Sequence, residues 1–135
     1  MKEKILGTLK IMGFKVEDID GHGYSFQYEG KYFLYLYSDD DNEFLNIALP
    51  AVLDFDNETG TSFHQLMDTI NSNLKYIKAY KCGDSMWLFY ERELTGSEDL
   101  EEVLTRMILH LDTAINFLHQ TTAGSDDNGE QENDN

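Results

Sequence analysis

Apolar residues recur along this chain at two periods, and each change of period marks an element. From Ser97 to His119, Leu100, Leu104, Met107, Leu111, Ala114 and Leu118 step by alternating fours and threes, which puts all six on one stripe of an α-helix. Ser97 is a good N-cap, and Glu98, Asp99, Glu101 and Glu102 crowd the first turn, where the helix dipole favours negative charge. Such a helix is roughly 33 Å long, enough to cross a small sheet. Near the start, Ile5, Leu9, Met12 and Val16 lie at helical spacing, and Gly13 is placed to end that short helix as a C-cap. A middle helix follows Gly60: Ser62 and Gln65 have capping-box spacing, and Phe63, Leu66 or Met67, Ile70 and Leu74 make its apolar face.

Between the helices the period falls to two. Gly21 and Gly23 flank His22 as a loop, and Tyr24, Phe26 and Tyr28 then alternate with Ser25, Gln27 and Glu29, the pattern of a half-buried strand. Glu29-Gly30 turns the chain into Tyr32 to Tyr37, which is apolar on both faces and suits a central strand. Asp39, Asp40, Asp41 and Asn42 make a polar hairpin tip, and Phe44 to Leu49 returns as a third strand that Pro50 helps to close. Asp54 to Gly60 is a second acidic loop. After the middle helix, Tyr76 to Cys82 and Met86 to Leu94 read as a hairpin about Gly83-Asp84-Ser85. The order α-β-β-β-α-β-β-α, with tight turns, predicts an α+β domain: a five-stranded, mainly antiparallel sheet with three helices on one face. The domain is expected to occupy residues 1–120. Residues 121–135 hold nothing apolar after Ala123, cannot repay the entropy of ordering, and are expected to form a disordered acidic tail.

Charge narrows the choice of partners. The chain has 26 acidic and 10 basic residues, a net charge of −16. Removing the tail acids Asp126, Asp127, Glu130, Glu132 and Asp134 leaves 21 against 10, or −11 for residues 1–120. Phosphate backbones and anionic membranes are bound by Lys and Arg, so neither nucleic acid nor membrane is the expected partner. An acidic imitation of nucleic acid would need carboxylates arrayed over one surface, and self-repulsion that aids solubility is the plainer account. No run approaches the ~18 apolar residues of a membrane span. No leader-like apolar segment follows Lys2, Glu3 and Lys4, so the expected compartment is the cytoplasm. There the sequon Asn57-Glu58-Thr59 is just a turn. Cys82 is the one cysteine and cannot form an internal disulfide.

No catalytic or cofactor motif stands out. Asp39, Asp40, Asp41 and Glu43 are expected to be a solvated turn, because adjacent carboxylates on a hairpin point apart. Asp54, Asp56 and Glu58 open like a calcium loop, but Thr59 stands where glycine is needed and Gln65 where a bidentate acid is needed. His22, His64, His110 and His119 show no metal-pair spacing, and His110 falls on the flank of the last helix's apolar arc. Cys82 reads as a small packing residue, and Lys75, Lys78 and Lys81 as balance for nearby carboxylates. Neither a nucleophile elbow nor a phosphate loop is present. No catalytic residue, metal ligand or cofactor is therefore predicted.

The aromatic residues are the more informative feature. Phe33, Tyr35 and Tyr37 share one face of their strand while Tyr32, Leu34 and Leu36 share the other, and Trp87 and Phe89 oppose Met86, Leu88 and Tyr90. One face must meet the helices, and the other would present an aromatic stripe to water, which marks an interface. The candidate protein-binding residues are Phe33, Tyr35, Tyr37, Trp87 and Phe89, with Leu109 and Phe117 off the main stripe of the last helix.

In its element order the chain resembles type III secretion chaperone-like domains, and among them the YbjN-type bacterial sensory-transduction regulators. The resemblance covers about residues 1–120. It rests on that order, on Tyr76-Ile77-Lys78-Ala79-Tyr80, on Trp87-Leu88-Phe89-Tyr90-Glu91-Arg92 and on the apolar closing helix. It implies a non-enzymatic domain, dimeric in many secretion chaperones, that holds unfolded segments on exposed apolar surface. The reading is then a chaperone-like or regulatory module that binds a protein or peptide partner, or a second copy of itself, through sheet and helix surface. The alternative is a cone-shaped α+β domain that binds a small ligand or catalyses a reaction, with His22, Tyr24 or His64 converging in an internal pocket.

Overall fold

A computed structural model describes residues 1–21, 23–37, 44–56 and 60–134, and the side chains of all of these except 60, 61 and 122–134. Helix α1 (Lys2–Ile11) is followed by strands β1 (Glu17–Ile19), β2 (Gly23–Tyr28), β3 (Lys31–Leu36) and β4 (Phe44–Asp54). Helix α2 (Gly60–Asn73), strands β5 (Ile77–Cys82) and β6 (Ser85–Glu93) and helix α3 (Leu100–Asp134) complete the order. The strands form one sheet in the order β1-β2-β3-β4-β6-β5, with every pairing antiparallel. The class is the α+β arrangement expected, with six strands instead of five.

The extra strand is β1. Only one of its three residues is apolar, so no alternation announces it, and pairing of Glu17, Asp18 and Ile19 with Ser25, Tyr24 and Gly23 is what makes it a strand. Gly13 does end the first helix, earlier than the apolar spacing suggested. Its amide donates to the Lys10 carbonyl and that of Phe14 to the Leu9 carbonyl, both at 3.0 Å, while Gly13 takes a φ of 97°. This paired closure needs a left-handed residue, and it leaves Val16 outside the helix. The turn at Glu29-Gly30 has φ of 52° and 73°, the left-handed pair that a two-residue hairpin between right-twisted strands requires.

Two further boundaries differ from expectation. Pro50 does not end its strand: β4 runs on to Asp54 through an irregularity between Leu49 and Leu53, with Ala51 at a φ of 49°. The residue that cannot donate to a ladder thus sits where the ladder is interrupted. Helix α3 is not capped by Ser97. The Asp99 carboxylate accepts from the Glu102 amide at 3.3 Å, so the helix opens at Leu100. Helix α2 begins at Gly60, which puts Ser62 inside its first turn.

All three helices pack on one side of the sheet. Ile5 and Leu9 of α1, Phe63 and Ile70 of α2, and Leu104, Met107, Leu111, Ala114 and Leu118 of α3 share one buried cluster with the inner sheet residues. The predicted stripe of α3 is its core face. Across the sheet that face reads Tyr24, Tyr35, Ile47, Tyr90 and Ile77, joined pair by pair through the register. The Lys31 ammonium bonds Asp112 at 2.7 Å, tying the β2–β3 turn to α3 across 81 residues. Gly23 is fixed by close approach: a Cβ there would stand 2.3 Å from the Tyr35 carbonyl oxygen. At the β5 edge, the Asn71 side chain of α2 accepts from the Ala79 amide at 2.7 Å and donates to the Ala79 carbonyl at 2.9 Å. One asparagine thus occupies both backbone groups that Ala79 would offer a neighbouring strand.

The α3 backbone continues to Asp134, past residue 120, where the domain boundary and the acidic tail are proposed from composition. His22, the tip at Asp39–Asn42 with Glu43, and the sequon at Asn57–Thr59 lie outside the described residues.

Candidate interaction face

Residues paired across an antiparallel ladder point to the same side of the sheet, so the register assigns every strand side chain to a face. On the side away from the helices, one row crosses all six strands: Glu17, Ser25, Leu34, Ala48, Phe89 and Lys78. Beside it lie Leu36, Asn46 and Glu91, and on its other flank Tyr32 pairs with Gln27 and Trp87 with Tyr80. Leu34, Ala48 and Phe89 form a second buried cluster, separate from the core, against which Ile19, Leu36, Cys82 and Trp87 pack. Among the described residues every member of that cluster comes from the sheet and none from a helix.

The centre of this face is floored by small residues. Ala48 is fully buried and Ser25 nearly so, while Tyr32 stands 59% exposed above them. Tyr80 stacks on Phe89 with centroids 4.3 Å apart and planes 7° from parallel, and Trp87 stacks on the same ring at 6.0 Å. The three rings hold one another in place and leave Tyr80 39% exposed. Lys78 pairs with Glu91 at 3.4 Å, and Asn46 reaches Glu91 over a long 3.4 Å contact while its own Oδ1 is buried without a partner. Burial pushes the Cys82 thiol up. Burial likewise raises the Tyr80 hydroxyl, with smaller effects of the same sign from Cys82 and Glu91.

The seven aromatic and aliphatic residues singled out from the sequence do not share one surface. Phe33 and Tyr35 are buried in the core between sheet and helices, with 0% and 2% of their surface exposed. Tyr37 packs beside them, its ring 6.3 Å from that of Tyr35 and beneath the Lys2 ammonium at 4.9 Å. Phe117 packs on the same core. Leu109 is half exposed and lines a cavity of about 140 Å³ with Met12, Phe14, Tyr28, Thr105 and Ile108, on the helix side. Only Trp87 and Phe89 belong to the open face. The residues missed are Leu34, Leu36, Tyr32 and Tyr80. Alternation did group the β3 residues correctly, and the register then joins Leu34, not Tyr35, to Phe89 through Ala48.

Elsewhere the candidate polar groups stay apart. Tyr24 stacks on Tyr35 in the core with centroids 6.2 Å apart, whereas His64 is exposed on α2 beside Phe55 and Phe63. His110 sits edge-on to Tyr76 at 5.3 Å on the far side of the sheet from Trp87. Lys81 lies over the Phe55 ring at 4.1 Å instead of against a carboxylate. Among the described residues no three His, Cys, Asp or Glu side chains gather as metal ligands would, and no helix is long and apolar enough to cross a membrane.

No family model matches this sequence, and no curated protein matches it. The architecture does have a counterpart. It superposes on the crystal structure of YbjN from E. coli, a proposed transcription regulator, with a TM-score of 0.67 over 90% of this chain and 92% of that one. The chain has a YbjN-like fold. At 8% identity the likeness is one of architecture, so the chemistry of the open face is that of this chain's own residues.

Proposed function

We propose that this protein is a non-enzymatic interaction module, chaperone-like or regulatory in kind, that binds a partner polypeptide on the open side of its sheet. The observation that carries this reading is the second apolar cluster, built on Leu34, Ala48 and Phe89 and met by no helix side chain among the described residues. A domain of this size has no stability reason to keep Trp87, Tyr80 and Tyr32 together on an uncovered face, whereas aromatic residues of that kind anchor interfaces. The likeness to a proposed regulator agrees with a binding role in place of catalysis. The cytoplasm as its compartment and a homodimer as one form of assembly belong to the same proposal.

The test is capture with variants on both sides of the molecule. Immobilised protein is compared with Tyr80→Lys and Tyr32→Lys on the open face and Leu109→Lys on the helix side, with light scattering of each. A polypeptide retained by the parent and by the Leu109 variant, and lost with the open-face variants, supports the reading. Retention by all three variants, or by none of the four proteins together with a monomer at high micromolar concentration, overturns it.

A further inference from the structure

The charge around the open face identifies the class of partner, an inference that rests on the binding role proposed above. The register directs Glu17, Asp54, Glu91 and Glu93 to this side of the sheet, against Lys78, and Lys15 lines the same side beside Glu17, Ser25, Gln27 and Tyr32. Lys78 is already paired with Glu91. The other basic strand residues turn inward: Lys31 to Asp112, Lys81 to the Phe55 ring and Arg92 to Glu98 at 3.2 Å. Glu17 has only an exposed, long contact of 3.7 Å to Lys15, which solvent screens almost entirely. The face is therefore an apolar centre floored by Ser25 and Ala48, walled by Tyr32, Trp87 and Tyr80, and rimmed by four carboxylates against two lysines, Lys15 and Lys78.

From this we infer that the face takes a basic amphipathic segment of another protein, with apolar side chains over Ala48 and Leu34 and lysines or arginines at the rim. Of the two occupants, a second copy of this chain is the less favoured, because face-to-face pairing would set rim carboxylates against one another in a protein whose net charge is −16. Charge complementarity of this kind speeds encounter and selects among partners, while the apolar centre supplies the holding contact.

Trp87 is the single tryptophan and lies on this face, so its emission reports occupancy directly. Full-length protein is titrated with three synthetic peptides, alternating leucine with lysine, leucine with glutamate, and serine with lysine. The leucine–lysine peptide is expected to shift Trp87 emission, with affinity falling as salt rises, and the other two to bind at least about tenfold more weakly. The double variant Glu17→Lys/Glu93→Lys should weaken the leucine–lysine peptide by about tenfold, while Glu3→Lys/Glu101→Lys on the helices should leave it unchanged. Equal binding of the leucine–lysine and leucine–glutamate peptides overturns the basic partner and leaves the interaction face standing. Equal loss in both double variants, or tight binding of the serine–lysine peptide, reduces the effect to bulk charge and overturns it as well. Concentration-dependent dimerisation abolished by Tyr80→Lys overturns it in favour of a second copy. Peptides that leave Trp87 emission unmoved overturn it outright, and the capture experiment then decides the broader reading alone.

Discussion

Replacing Asn71 by alanine uncouples α2 from the edge of the sheet. In the native chain its side chain accepts from the Ala79 amide at 2.7 Å and donates to the Ala79 carbonyl at 2.9 Å. Ala79 itself is 2% exposed. Losing both partners would cost about 2–6 kcal/mol if neither backbone group found water, at about 1–3 kcal/mol for each. Asn71 is solvent-exposed, however, so water reaches the vacated space and the lower part of that range applies, about 2 kcal/mol. For a domain of this size that corresponds to a fall in Tm of roughly 6–10 °C. Asn71→Asp should cost nearly as much, since it keeps the acceptor for the amide but sets a carboxylate against the Ala79 carbonyl. Urea melts followed by far-UV circular dichroism measure both, and an unchanged m-value keeps the comparison two-state. Sedimentation adds a second readout, because the freed edge should make Asn71→Ala associate with rising concentration. A loss below about 0.5 kcal/mol in Asn71→Ala, with no new association, would refute the edge-capping argument.

Other predictions follow from the core, the charged groups and the tail. Leu104→Ala, at a fully buried position facing the sheet, should cost about 2–5 kcal/mol in the same melts. The pH profile of stability should narrow at both ends. The Glu98 carboxylate, held at about 2 mainly by the Thr95 amide, contributes fully above its ordinary 4.5 and progressively less as pH falls toward 2. Tyr35, pushed up to about 12 by burial, with smaller effects from Tyr37 and Tyr24, keeps its proton when folded; its contribution is whole below pH 10 and lost as pH rises toward 12. Glu98→Gln should flatten the acid limb and Tyr35→Phe the alkaline one. Deleting residues 121–135 should leave the unfolding free energy within about 0.5 kcal/mol of the parent, which tests the proposed domain boundary.

Much of the architecture was legible because it rests on local periodicity. The stripe Leu104, Met107, Leu111, Ala114 and Leu118 is buried residue for residue, and the turns at Glu29-Gly30 and Gly83-Asp84 fall where expected. What escaped depends on contacts distant in sequence. Glu17–Ile19 becomes a strand only because β2 lies beside it. Pro50 reads as a stop until the mismatch between β4 and β6 provides a place for it. Residue preference places the cap of α3 at Ser97, although Asp99, two residues on, is an equally good capping residue. Glu98 instead folds back to bond the Thr95 and Gly96 amides, leaving the cap to Asp99. The binding face was misassembled for the same reason. Alternation separates Tyr35 from Leu34 but says nothing about which one shares a side with Phe89, since that is decided by the parity of two pairings through β4.

The strand order also bears on how the chain is made. β4 finds its second neighbour not in the next strand but in β6, after α2 and β5 have been synthesised. A nascent chain that has emerged only as far as residue 56 therefore carries a sheet with a bare edge along Leu45, Ile47 and Leu49, and nothing of α3 to roof it. A ribosome-bound chain stalled there should be protease-sensitive and should recruit holding factors, and protection should rise only when β6 and α3 have cleared the exit. The second half of the sequence closes the first.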